Sequence, residues 1–274
     1  MKYTPKELTE NVNISHTSPI KEFFLLLGGI LAAILIVYGV LGFAVDLVVF
    51  KLPPAIELSI GKLFTQNYAN TKKTTAGTQL QVVLDDLLEK HPDGEKNYQV
   101  HLVPDVNVNA MALPGGNIIV FSGLIKEVES ENELSFVLAH ELGHFANRDH
   151  LRGLGRMLVL LTISTALLGG DNFVNEFLIN SLLNVEMKFS QKQEKMADLF
   201  ALDLLNKKYG HVAGATDFFE KLGKEDKRIR LLYYFTTHPH PHDRVKALEE
   251  RIKSNGYLIK EKKPLDNAFH DMKG

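Results

Sequence analysis

Between Phe23 and Val45 the chain carries 23 residues without a charge. As a helix, such a run reaches about 35 Å, enough to cross a bilayer with some tilt. A cleaved signal peptide has a shorter apolar centre, of about 7–15 residues, and a small-residue cleavage site. Lys21 and Glu22 flank one end of the run, Asp46 and Lys51 the other. The expectation is one uncleaved transmembrane helix over 23–50, preceded by a flexible polar tail, 1–22. Lys2, Lys6 and Lys21 lie before the span and Lys51, Lys62, Lys72 and Lys73 after it, so the positive-inside rule does not decide the orientation. A short tail inside and a large domain outside is the simpler topology. It puts the domain on the extracytoplasmic, periplasmic side.

The chain beyond the span is long enough for one domain of about 200 residues. Apolar residues make up 45% of the chain, enough for a real core. Basic residues number 31 and acidic ones 33, so no polyanion-binding face is implied and nucleic acid is not an expected partner. The chain has no cysteine, which excludes disulfides, thiolate nucleophiles and Cys-ligated zinc.

Within that domain the segment Val137–Phe145 contains His140-Glu141-Leu142-Gly143-His144. On a helix, His140 and His144 lie one turn apart on one face, so both imidazoles can reach a single metal ion. Glu141 sits about 100° further round, placed to meet a metal-bound water rather than to ligate. That is the arrangement of a zinc hydrolase, with Glu141 as general base. Ser130 and Glu133 form a Ser-x-x-Glu capping box at the helix start. The neighbours of the motif are uncharged, which a surface helix would not show. Gly143 costs about 1 kcal/mol against Ala in a helix, which suggests a close approach by another element.

A second carboxylate pair lies downstream. Glu194 and Asp198 are four residues apart on a predicted helix over about 190–205, and apolar residues follow at once. Like charges at that spacing repel unless a cation compensates. Glu194 can supply a third zinc ligand, and Asp198 can accept the far N–H of a ligating histidine. Near the end, His238-Pro239-His240-Pro241-His242 leads into a helix beginning at Arg244. One histidine and the arginine could donate to a developing oxyanion.

The remaining elements are coarser. A linker spans 51–76, with a possible short amphipathic helix. Leu80, Val83, Leu84, Leu87 and Leu88 predict a helix from Gly77. Strands are expected at Tyr98–Val103, through Val106, Val108 and Ala110, and at Ile118–Phe121, with a turn at Leu113-Pro114-Gly115-Gly116. Together they form a small antiparallel sheet. Asn109-Ala110-Met111 is the candidate edge strand that would take substrate backbone by strand addition, or else an internal strand. Met157–Leu168 is apolar but too short to span; it is either a core helix or a segment dipping into the membrane surface. Phe173–Phe189 is expected to be helical, with Phe173, Phe177, Leu178, Leu182 and Val185 on one side. The domain is expected over 77–256, with a polar, little-ordered tail at 257–274.

Taken in order, these segments resemble peptidase family M48, a group of membrane-associated zinc peptidases. The likeness runs from about 77 to 253. It rests on Asn109-Ala110 with Leu113-Pro114-Gly115-Gly116, on His140-Glu141-x-x-His144, on Glu194-x-x-x-Asp198, and on His238-Pro239 with Arg244. The resemblance implies an α+β, predominantly helical gluzincin fold with a small sheet. It implies one Zn2+ per chain held by His140, His144 and Glu194, with water in the fourth place and Glu141 as the base. His238 and Arg244 match positions that steady the tetrahedral intermediate. In some relatives a nearby histidine caps the zinc; His240 or His242 could do so here. One span rather than several favours quality control of unfolded or misassembled envelope and membrane proteins. Two rival readings stand beside it. One is a membrane-tethered chaperone or assembly factor with a latent or structural zinc. The other is a zinc hydrolase of non-peptide substrates.

Overall fold

A computed structural model of the chain describes residues 18–65, 74–91, 97–183, 188–221, 234, 236–239 and 241–272. The uncharged run becomes α1, Pro19–Val49, which starts on a proline and buries only Gly42 and Val49. Pro53 and Pro54 end that helix and open α2, Pro54–Thr65. The Thr74 side chain accepts from Gly77 N (3.0 Å) to cap α3, Thr75–Leu88, and the expected apolar positions Leu80, Val83, Leu84, Leu87 and Leu88 are all buried.

Three strands follow: β1 Gln99–Val103, β2 Ala110–Leu113 and β3 Asn117–Phe121, in the order β1-β3-β2. The β2–β3 hairpin is antiparallel, as expected, and turns over Gly115 and Gly116, both at positive φ. β1, however, runs parallel to β3, pairing Gln99 with Asn117 through Val103 with Phe121. The sheet is therefore mixed rather than antiparallel. Alternation marks strands but not the edge that each one joins. Here residues 104–116 form the crossover that a parallel pair needs, and β2 lies within it. Val106, expected in the alternating run, lies in the crossover and is 85% exposed.

After α4 (Ser122–Glu127) comes α5, Glu131–Ala146, buried along nearly its whole length. Arg148, in the left-handed region at φ 55°, makes the corner into α6, Asp149–Leu168. α7 (Phe173–Leu183), α8 (Gln191–Tyr209), the short α9 (Asp217–Glu220) and α10 (Pro241–Asn255) complete the helices used below. α5 lies at the centre, against α8 on one side and β2 and α3 on others. α6 is not a core helix: past Leu154 only Ser164 is buried. α7 is described as far as Leu183 and leaves Phe173 and Phe177 exposed; Phe189, expected to be helical, is not, and Val185 lies outside the described residues.

The segment after Gly256 is not the little-ordered tail expected from its lysines. Glu131 N donates to Lys263 O (3.0 Å), and Ser130 and Pro264 form a β-bridge across the start of α5. Leu265 and Phe269 are buried, the latter in a 3-10 turn at Asn267–Met272. Two apolar side chains suffice to anchor a segment whose average composition is polar.

Candidate metal centre

Local sequence signals set the two helices that carry the site. The Ser130 side chain accepts from Glu133 N (3.2 Å) at the start of α5, and the Glu133 carboxylate accepts from Glu129 N (2.8 Å). α8 opens on a full capping box, Ser190 with Gln193, and stops at Gly210 in the left-handed region. Gly143 is the close approach that its position suggested. A Cβ there would lie 2.8 Å from Ala197 Cα and 3.0 Å from Ala197 O. Backbone cannot yield as a flexible side chain can. Gly143→Val is therefore expected to push α5 off α8 and cost about 1–3 kcal/mol, read as a lower Tm together with weaker metal retention.

At this contact the ligand candidates converge. His140 Nε2 lies 3.1 Å from His144 Nε2. Glu194 Oε1 is 3.6 Å from His144 Nε2, and Glu194 Oε2 is 3.6 Å from His140 Nε2. His238 Nδ1 lies 3.3 Å from His140 Nε2 and 3.1 Å from Glu194 Oε1. One ligand atom from each of these four side chains fits within 4.8 Å of all the others, and all four residues are buried.

The far nitrogens say which atoms face inward. His140 Nδ1 is 2.9 Å from Asp198 Oδ1, and His144 Nδ1 is 3.0 Å from Asp149 Oδ2. A carboxylate takes an N–H, so both imidazoles carry their proton on Nδ1 and turn an Nε2 lone pair toward the other. Two lone pairs and a carboxylate converging this closely repel one another, which a cation bound between them would relieve. Glu141 adds to the case: it is wholly buried and neither carboxylate oxygen has a hydrogen-bond partner among the described residues. Such a carboxylate is costly without a group to receive it. The donor set, two imidazole nitrogens and a carboxylate oxygen, fits zinc.

Arg244 holds the carboxylates. It is fully buried, donates from Nε and Nη2 to Asp198 (2.7 Å each), and pairs with Glu194 through Nη1 (2.7 Å). Its guanidinium stacks over Phe219 at 4.7 Å. Burial alone would raise the Glu194 pKa, but the charges of His238 and Arg244 outweigh it and hold the carboxyl at about 2. Burial, followed by the nearby Arg244 and His144, pushes His140 well below its usual value, toward the neutral form a ligand needs. For His238, burial is outweighed by the Glu194 carboxylate, and its pKa is raised.

The structure thus brings together His140, Glu141, His144, Glu194, Asp198, His238 and Arg244. His238 lies among the ligands, and Arg244 points into the carboxylates. Of the other two histidines, His242 is exposed and His240 lies outside the described residues. β2 is an edge strand, yet Asn109, Ala110 and Met111 are buried; Asn109 Oδ1 accepts from Thr237 Oγ1 at 3.4 Å. Sequence reasoning missed three contributors. Asp149 holds His144 and is itself held by Gln193 (2.8 Å). Phe189 stacks on His144 at 3.9 Å, and Tyr234 on His238 at 4.5 Å. Asp149 had a signal, an acidic residue at the first position of the helix after the motif. The aromatics had none, because stacking partners are set by tertiary packing.

Comparison with known proteins agrees with this geometry. The pattern of "Peptidase family M48" matches residues 75–252. The metalloprotease LoiP of Escherichia coli is 33% identical over 165 residues, covering 58% of this chain and 64% of LoiP. The mitochondrial metalloendopeptidase OMA1 of Arabidopsis thaliana is 33% identical over 156 residues, 56% of this chain and 31% of that protein. The E. coli metalloprotease YcaL is 28% identical over 193 residues, 69% of this chain and 74% of YcaL. The chain thus spans less than two thirds of the first two relatives.

Proposed function

The chain belongs to peptidase family M48, and on that premise we propose that it is a membrane-anchored, zinc-dependent endopeptidase. The observation that carries this reading is the buried convergence of His140, His144 and Glu194 beside Glu141, whose carboxylate oxygens have no hydrogen-bond partner among the described residues. Zinc held by those three residues would supply Lewis acidity, lowering the pKa of water and polarising a carbonyl. Glu141 then acts as the base: it takes the proton of the attacking water on a carboxylate oxygen and hands it to the leaving amine. Asp198 and Asp149 fix the tautomers of the two histidines, and Arg244 fixes Asp198 and Glu194. His238 donates toward the oxyanion. Asn109, Ala110 and Met111 offer edge-strand hydrogen bonds to an extended substrate chain. Binding there requires the segment holding Thr237 and His238 to yield, because it now packs on Asn109. We take the peptidase unit as 77–256 completed by the docked segment after it, and α1 as its anchor. Tethered to a bilayer, such a site suits unfolded or misassembled envelope and membrane proteins.

One observation favours a second reading. His238 lies close enough to serve as a fourth ligand, which would make the zinc latent or structural, as in a tethered chaperone. The two readings part on measurement. The full chain in detergent micelles is expected to cleave unfolded casein, to stop on chelation and to resume with added zinc. His238→Ala is expected to lower kcat by about 10²–10³-fold with zinc retention unchanged. Faster cleavage with weaker zinc retention would assign His238 as a cap. Absence of any chelator-sensitive cleavage, in the parent and this variant alike, would overturn the peptidase reading.

A further inference from the structure

We propose that α6 and α7 form a helical hairpin embedded obliquely in the bilayer leaflet beside α1, giving the protein a second, non-spanning membrane element. The inference rests on α1 being the anchor, and three observations carry it.

The first is continuity with α1. α6 runs back along it, antiparallel. Arg148 Nη1 donates to Val49 O (2.7 Å) and Leu52 O (3.2 Å) at one end. One turn on, Arg152 and Arg156 both face Asp46, at 3.7 and 2.9 Å. Gly155 lets Val45 in, since a Cβ there would lie 2.5 Å from Val45 Cγ1. Beyond this clasp Leu41, Leu158 and Val159 line an apolar groove of about 400 Å³ between the two helices. α1 has almost its entire surface open for lipid, and α6 extends that surface rather than covering it.

The second is the distribution of charge and exposure. After Arg156 no charged residue occurs until Asp171. Along that stretch and α7, Leu158, Leu167, Leu168, Phe173 and Phe177 are 46–80% exposed. An apolar face of this extent is not stable against water. The uncharged turns of α6 reach about 18 Å, little more than half the hydrocarbon thickness, so the hairpin enters without crossing. Two carboxylates accompany it: Asp171 at the turn and Glu176 on α7 are both exposed. They oppose an upright insertion. The uncharged run of α1, 23 residues or about 35 Å, exceeds the hydrocarbon thickness, and a tilted α1 would accommodate it. A hairpin clasped to a tilted α1 would lie oblique, with these carboxylates nearer the headgroups than an upright one would put them.

The third is how the turn satisfies its backbone. Asn175, 3% exposed, donates to Gly169 O (3.1 Å), Gly170 O (2.9 Å) and Thr165 Oγ1 (2.8 Å). Asn172 donates to Gly169 O and accepts from Asn175 N. Side chains here take up the Gly169 and Gly170 carbonyls. Non-helical backbone at membrane depth has to satisfy them from within.

The consequence is positional. Asp149, the first residue of α6, is the partner of His144. The ligand cluster therefore sits where the hairpin leaves the lipid, within reach of chain segments at the membrane surface.

The absence of cysteine allows a direct test. Leu167→Cys and Phe177→Cys, each labelled with an environment-sensitive fluorophore, are reconstituted as full chain in phospholipid nanodiscs. Leu31→Cys on α1 and Leu258→Cys on the aqueous side are the references; all four positions are exposed. The expected result is loss of emission to lipid-borne quenchers matching that at Leu31, with protection from iodide. Labels at 167 and 177 that behave like the one at Leu258, open to iodide and blind to lipid quenchers, would overturn the hairpin. Protection from both quenchers would overturn it too, by assigning the face to a second copy of the chain. A Leu31 label open to iodide would instead bring down the anchor reading on which the proposal stands. None of these readouts depends on peptidase activity.

Discussion

Glu141→Gln is expected to keep its metal and lose peptide hydrolysis, by roughly 10²–10⁴-fold in kcat, the usual worth of a positioned general base. The reasons are geometric. Glu141 is wholly buried, and neither of its oxygens is engaged in a hydrogen bond that the amide would break. It lies 3.7 Å from His238 Nε2 but contributes no atom to the four-residue ligand cluster. Gln has the same shape and cannot take a proton. Zinc per chain, measured by elemental analysis, should equal that of the parent, while cleavage of labelled casein falls. Cleavage at the parental rate would remove Glu141 from the role of base. Loss of zinc would place it among the ligands.

Arg244→Met should be the most destabilising single change at the site. Removing the guanidinium leaves Asp198 and Glu194 buried side by side with their main counter-charge gone. Breaking one side of such a buried ionic group costs about 3–5 kcal/mol, visible as a fall in the urea midpoint of the metal-free chain. Asp198 and Glu194 would then be free to turn from the histidines, and metal affinity should fall by about 10–100-fold, the usual effect of losing an orienting partner. Arg244→Lys restores a charge but not the two-pronged contact with Asp198, and should recover only part of either loss. If the methionine variant matched the parent in both measurements, Arg244 would have no positioning role.

How much of this could be read from the sequence depends on the range of each signal. The His140–His144 helix, its cap and the Glu194–Asp198 helix rest on spacings within one or two turns, and the apolar N-terminal helix on an uninterrupted run; the structure has each of these helices. The need for a small residue at Gly143 was legible; its partner, Ala197, was not. Longer-range facts left no such trace. The parallel pairing of β1 depends on which edge a crossover reaches. Leu265 and Phe269 dock the final segment, although lysines dominate around them. Arg244 could be singled out near the site, but only three-dimensional packing reveals that its donors are spent on Asp198 and Glu194. Asp149 was legible as an acidic residue at the head of the next helix, but its partner His144, reached across a left-handed corner, was not.

That corner has a mechanical consequence. Arg148, just past the end of the ligand helix, donates to Val49 O at the end of α1 and to Leu52 O just beyond it. The tie holds the ligand helix against the end of α1 rather than at a distance from it. With α1 as the proposed anchor, the site would meet its targets by lateral diffusion in a plane, at a height set by the thickness of the lipid beneath it.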